Sequence, residues 1–139
     1  MINRQAVVQT MQSGNIITEQ INGALTVFGL SIQQFNVLRI LRGRNGHVAN
    51  LESITSDMIH RMSNTSRLVD RLVEKDLCKR VVCEQNRRKV DISITESGLK
   101  LLQHIDPVIE QKEAELTENL TESEVRQLVH LLTKMKSKN

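Results

Sequence analysis

One segment of this chain keeps a period of two while nearly everything around it repeats at helical spacing. In "KVDISIT" (Lys89 to Thr95), Val90, Ile92 and Ile94 alternate with Asp91, Ser93 and Thr95, the pattern of a strand with one buried face. The preceding "LCKRVVC" (Leu77 to Cys83) is also strand-like. A single pair of strands cannot make a sheet protein. The two must form a hairpin packed on helices, so the expected fold is mainly α with one small β-hairpin. Between the strands stand three consecutive cations, Arg87, Arg88 and Lys89. The expected hairpin therefore has a strongly basic tip.

The helices around it can be placed from their caps and stripes. A long pattern from Asn3 to Phe28, interrupted by Gly14 and Gly23, repeats Ile17, Ile21, Leu25 and Phe28. Ser31 and Gln34 read as a capping box opening a helix through Arg42, with Phe35, Leu38 and Leu41 on one face. "GRNGH" (Gly43 to His47) turns the chain. Asn50 can cap a short helix turning Leu51, Ile54 and Met58 inward. After a break near Met62 and Ser63, a fourth helix runs to about Lys75 on a stripe of Leu68, Val69, Leu72 and Val73. Beyond the hairpin, a helix from Thr95 or Glu96 to about Asn119 carries Leu99, Leu102, Ile105 and Ile109, with a bend expected at Pro107. Thr121 and Glu124 form another capping box, for a last helix carrying Val125, Leu128, Leu132 and Met135.

Helix, helix, short turn, helix, hairpin is the order of a winged helix-turn-helix. The 139 residues suit one domain. Residues 30–95 are expected to form the winged unit, with 1–29 and 96–139 forming flanking helices. The flanking helices carry more apolar surface than one copy of the chain can bury, so they are read as a dimerisation layer.

Charge locates the partner. Residues 60–90 hold nine Lys or Arg against four acids, a net charge of +5. The rest of the chain holds ten against twelve, or −2. A basic segment on an acidic remainder points to a polyanion. With no Trp, no Tyr and two Phe, a stacking platform for single strands is disfavoured, which leaves duplex DNA. A helix-turn-helix reads base edges with the first residues of its second helix. Here these are Ser63, Asn64, Thr65 and Ser66, followed by Arg67 and Arg71 on the outward face. Either Ser63 or Asn64 can instead serve only as the helix cap. Arg87 and Arg88 suit a neighbouring minor groove, where negative potential concentrates, and Lys89 suits phosphate. The competing reading of the three cations is an edge guard against strand-to-strand association.

Other chemistries lack residues. His47, His60, His104 and His130 are scattered, no phosphate loop or nucleophile motif is visible, and no metal, cofactor or catalytic role is expected. No apolar run reaches the roughly 18 residues of a membrane span. With no secretory signal pattern, Cys78 and Cys83 fit reduced thiols in the cytoplasm. Cys78 is read as a buried structural residue.

The segments "LSIQQFNVLRIL", "NTSRLVDRLVEKDLCKR" and "NRRKVDISITESG" resemble the MarR family of bacterial transcription regulators. The resemblance covers about Ser31 to Leu102. It rests on Ser66-Arg67, Asp70-Arg71-Leu72, Arg87-Arg88 and the Thr95-to-Gly98 helix start. It implies a homodimer that represses from a palindromic operator and responds to a small, often anionic or aromatic effector. That effector would sit between the dimer layer and the DNA-binding lobe, with Met11, Phe28, Phe35 and Met62 as candidate lining residues. It also makes Arg88 the wing arginine. Two positions depart from the family pattern: Asp76 stands where glycine is usual, and Asn86 where aspartate is usual. Those departures support the rival expectation, a protein-interaction module that kept the fold and lost DNA binding.

Overall fold

The computed structural model describes residues 1–59 and 64–137 and, of Arg87, the backbone. Six helices and one hairpin follow in the expected order: α1 (Ile2–Thr26), α2 (Ile32–Gly43), α3 (Leu51–Asp57), α4 (Thr65–Glu74), β1 (Cys78–Cys83), β2 (Asn86–Ile94), α5 (Glu96–Leu116) and α6 (Glu122–Lys136). The mainly α fold with a winged helix-turn-helix is thus the observed one. Several boundaries have a local cause. Ser31 and Gln34 cap α2 reciprocally, and Thr121 and Glu124 do the same for α6. Asn50 pairs in the same way with Ser53 at the start of α3.

Three expectations need correction. Gly14 and Gly23 do not interrupt α1, which runs through both. The helix stops at Thr26 rather than Phe28, where a turn leads to Gly29 in the left-handed region (φ 70°). Pro107 lies inside α5, which ends at Leu116, short of Asn119.

One core unites the winged unit with parts of α1 and α5. Leu25 from α1, Leu38 and Leu41 from α2, Ile54 from α3, Val69 and Leu72 from α4, Ile92 from β2 and Leu102 and Ile105 from α5 are almost wholly buried. Each such side chain contributes about 1.5–3 kcal/mol when fully buried. Leu99, expected on the inward stripe of α5, is instead partly solvent-facing. Buried residues are nearly absent from the outer layer: α1 buries only Leu25, and α6 buries none. Among the described residues no helix is long and apolar enough to cross a membrane, and no group of three or more His, Cys, Asp or Glu is placed to hold a metal.

Candidate nucleic-acid interface

Helix α4, the expected recognition helix, is positioned from both of its ends. At its start Asn64 is the N-cap, its side chain accepting from the Arg67 backbone N–H at 3.3 Å. Of the two candidate caps, Ser63 lies outside the described residues, as does Met62. Thr65 does not belong to the outer face. It is 6% exposed, and its hydroxyl lies 2.6 Å from that of Thr55 on α3. Its side chain ties the two helices together and is not available to a base edge, which corrects the reading of Thr65 as a contact residue. Ser66 is half-buried, whereas Arg67, Asp70, Arg71 and Glu74 are exposed, opposite buried Val69 and Leu72.

The other end of α4 explains how aspartate replaces glycine. Leu77 N–H donates to the Leu72 carbonyl and Asp76 N–H to that of Val73, both at 2.9 Å. These are the two bonds of a Schellman cap. The cap requires a left-handed residue at position 76, and Asp76 supplies it with φ 60°. Lys75 adds a bond from Nζ to the Gly29 carbonyl at 2.6 Å, fixing the helix end to the α1–α2 turn. Thr95 then caps α5, accepting from Gly98 N–H at 3.0 Å and donating its hydroxyl to the Asp76 carbonyl at 2.7 Å. Gly98 is required there by close approach, because a Cβ would lie 2.4 Å from the Leu77 carbonyl oxygen.

The wing differs from expectation in one respect. The turn between the strands is Glu84–Gln85, so the cations do not form the tip. Cys83 pairs with Asn86 and Val82 with Val90, which leaves Arg87, Arg88 and Lys89 without partners on β1. The three cations are a three-residue bulge in β2. A bulge bends its strand and re-aims side chains, and Arg88 and Lys89 are exposed on it. Asn86 stabilises its start by accepting the Arg88 backbone N–H at 3.1 Å, the local bond that Asx side chains favour. Two contacts hold the wing to the rest. Ala49 and Ile92 exchange backbone hydrogen bonds of 2.8 and 2.7 Å, and Arg80 on β1 pairs with Asp70 on α4. The latter pair went unread in the sequence, although Asp70 and Arg80 both lie within its charged run.

Behind α2 lies a mostly apolar cavity of about 540 Å³. It is walled by α1 (Ile17, Ile21), α2 (Ile32, Phe35, Asn36, Arg39), α5 (Ile109, Glu113, Leu116) and Leu128 of α6, with Ile59 also on the wall. Of the candidate effector residues, Phe35 lines it. Met11 and Phe28 are not part of its wall: Met11 faces solvent from α1, and Phe28 packs against the core. Sequence reading missed Asn36 and Arg39. Asn36 is 5% exposed, and its Nδ2 has no hydrogen-bond partner among the described residues. Its signal was a polar residue inside the run Phe35-Asn36-Val37-Leu38.

Residues 30–90, from the turn before α2 through the cationic bulge, match the model of the MarR family. Through these residues the chain is similar to the MarR family. Solved structures extend the likeness across the flanking helices. A MarR transcription factor from Planctomyces limnophilus is 27% identical, with a TM-score of 0.76 over 94% of each chain. A mutant MarR from E. coli complexed with operator DNA is 23% identical, with a TM-score of 0.82 over 93% of this chain and 91% of that one. BpsR of Bordetella bronchiseptica, whose DNA binding is regulated by 6-hydroxynicotinic acid, is 22% identical, with a TM-score of 0.85 over 96% of this chain and 99% of that one. The fold shared with these MarR proteins therefore spans the long helices as well as the matched domain.

Proposed function

We propose that this protein is a regulator of the MarR family, a homodimeric, effector-responsive repressor of a palindromic operator. In this reading α4 enters the major groove with Asn64, Ser66, Arg67 and Arg71, and the wing sets Arg87, Arg88 and Lys89 against the adjacent minor groove and phosphates. The carrying observation is the bulge. Three adjacent cations released from pairing, with Arg88 and Lys89 beside Asn50, Leu51 and Glu52 at the start of α3, suit an electrostatic clamp on a neighbouring groove. The E. coli relative in complex with operator DNA supports the duplex partner. BpsR, with its small-molecule regulator, supports an effector, for which the cavity behind α2 has room.

Dimerisation is carried by the outer layer. Val7, Val8, Met11 and Ile16 on α1 and Leu128, Val129, Leu131 and Met135 on α6 are all more than 40% exposed, an apolar surface that a partner copy would cover. The rival interaction-module reading drew on Asp76 and Asn86. Asp76 completes the cap of α4 and Asn86 the start of the bulge, so neither departure disturbs the elements that the DNA-binding reading needs.

The test uses a duplex that the wild-type protein selects from a randomised pool, with binding read by anisotropy over a salt series. Arg87→Ala/Arg88→Ala should weaken binding and flatten the slope of log affinity against log salt by roughly 0.9 for each phosphate that is no longer neutralised. Arg67→Ala should weaken the selected duplex more than a scrambled one. An unchanged slope and affinity in the double variant would return the cations to edge protection. Light scattering that finds a monomer at micromolar concentration would remove the dimer.

A further inference from the structure

Between the bulge of β2 and the start of α3 lies a cleft of about 260 Å³. Arg88, Lys89 and Val90 wall it on the wing side, and Asn50, Leu51 and Glu52 on the other. The paired backbone bonds of Ala49 and Ile92 set that spacing, because they fasten the residue before the cap of α3 to the wing. Glu52 is exposed, as are Arg88 and Lys89. Among the described residues no ion pair takes any of the three. A carboxylate and two cations thus share one cleft without closing it.

An acid in the first turn of a helix complements the helix dipole, and Glu52 has that role in α3. The start of α3 does not depend on it, since Asn50 and Ser53 cap each other there and Ile54 is buried in the core. Its second consequence is electrostatic. A carboxylate beside Arg88 and Lys89 lowers the positive potential that the pair offers to a phosphate. That effect acts on the DNA backbone and carries no sequence information.

We propose that Glu52 is an affinity-limiting residue of the DNA interface, an electrostatic brake on Arg88 and Lys89 that weakens the grip of the wing on any duplex by the same factor. This rests on reading the wing as a DNA clamp. Such a brake suits a regulator that must let go. The coupling between an effector and DNA is worth about 5- to 150-fold in affinity, and a stronger grip on phosphates, blind to sequence, would outlast it.

The test combines Glu52→Gln with Arg88→Ala/Lys89→Ala in the full-length protein. Anisotropy over a salt series reads binding to the selected duplex and to a scrambled one. Glu52→Gln should bind both duplexes about two- to fivefold more tightly at low salt, the worth of one charge pair several ångströms apart in water. Its slope of log affinity against log salt should steepen by up to roughly 0.9. In the Arg88→Ala/Lys89→Ala background that gain should largely vanish, as a double-mutant cycle reads directly. Circular dichroism should show the same helix content throughout. Affinity that is unchanged or lower in Glu52→Gln, while the alanine pair still weakens binding, overturns the brake and leaves the clamp standing. A gain of full size in the alanine background shows plain repulsion of phosphate in place of a brake on these cations, and overturns the proposal. A gain on the selected duplex alone makes Glu52 a reader of sequence and overturns it too. If the alanine pair binds as well as the wild type, the clamp reading itself falls.

Discussion

Gly98→Ala should destabilise this protein although alanine is the better helix former. In an unobstructed helix interior the exchange gains about 0.5–1 kcal/mol, because glycine loses more backbone freedom on folding. At position 98 the added Cβ would lie 2.4 Å from the Leu77 carbonyl oxygen and 2.7 Å from Ile94 Cγ1, where ordinary contacts are near 3.5–4.0 Å. Neither neighbour can yield freely. The Leu77 carbonyl accepts the Thr95 N–H at 3.1 Å, Leu77 N–H closes the cap of α4, and Ile94 is the last residue of β2. Forcing a methyl group into such packing costs about 1–3 kcal/mol, and loosening the Thr95 bond costs up to about 1.5 more. After subtracting the propensity gain, the middle of these ranges puts the loss at about 2 kcal/mol. Gly23→Ala on α1 is the control, since nothing lies within 4 Å of its Cβ position; it should gain up to about 1 kcal/mol. Urea midpoints at one fixed protein concentration measure both, because dimerisation makes stability concentration-dependent. If Gly98→Ala is as stable as the wild type, the recognition helix, wing and α5 are not joined as tightly as described.

Two further substitutions probe neighbouring groups. Asp76→Gly should raise stability by up to about 1 kcal/mol and Asp76→Ala lower it by about 1 kcal/mol, since only the first relieves a left-handed backbone; paired urea melts decide, and equal effects would refute the cap. Burial pushes the Cys78 thiol up to about 12 from an ordinary 9.0, so the folded state keeps its proton while the unfolded chain loses it. The stabilisation is complete below about pH 9 and fades toward pH 12, at up to about 1.4 kcal/mol per pH unit. The stability of Cys78→Val relative to wild type should accordingly improve between pH 8 and 10.5. In the native protein a thiol reagent should modify Cys83 while Cys78 stays protected, and fast loss of both thiols would contradict its burial.

What could be read in the sequence was whatever neighbours along the chain decide. Ser31 with Gln34 and Thr121 with Glu124 bond within one turn, so their caps needed no knowledge of the fold. The alternation of Val90, Ile92 and Ile94 gave the wing its inward face, because a strand's side chains alternate wherever it packs. Misreadings came where a distant element settles the matter. Thr65 looks like any other small hydroxyl of a first turn until Thr55, ten residues earlier, is folded against it. Asn36 needed α1 and α5 in place before its burial had meaning.

The bulge is the most instructive of these, because it changes the argument for function. Placed at a turn, three cations need no explanation beyond solubility, since a turn exposes whatever it carries. Placed after the turn, they interrupt a strand whose remaining residues pair in register from Cys78–Ile94 to Val82–Val90. That interruption forgoes backbone hydrogen bonds that the strand could otherwise make. The Asn86 side chain recovers one of them, by accepting the N–H of Arg88. Meanwhile Arg80–Asp70 and Ala49–Ile92 hold the paired part of the wing to α4 and to the segment before α3. The bulge therefore projects from a fixed base instead of swinging with a free hairpin. A solubilising patch gains nothing from that rigidity. A clamp that must meet a groove at a set distance from a recognition helix does, because ordering completed on folding need not be repeated on binding.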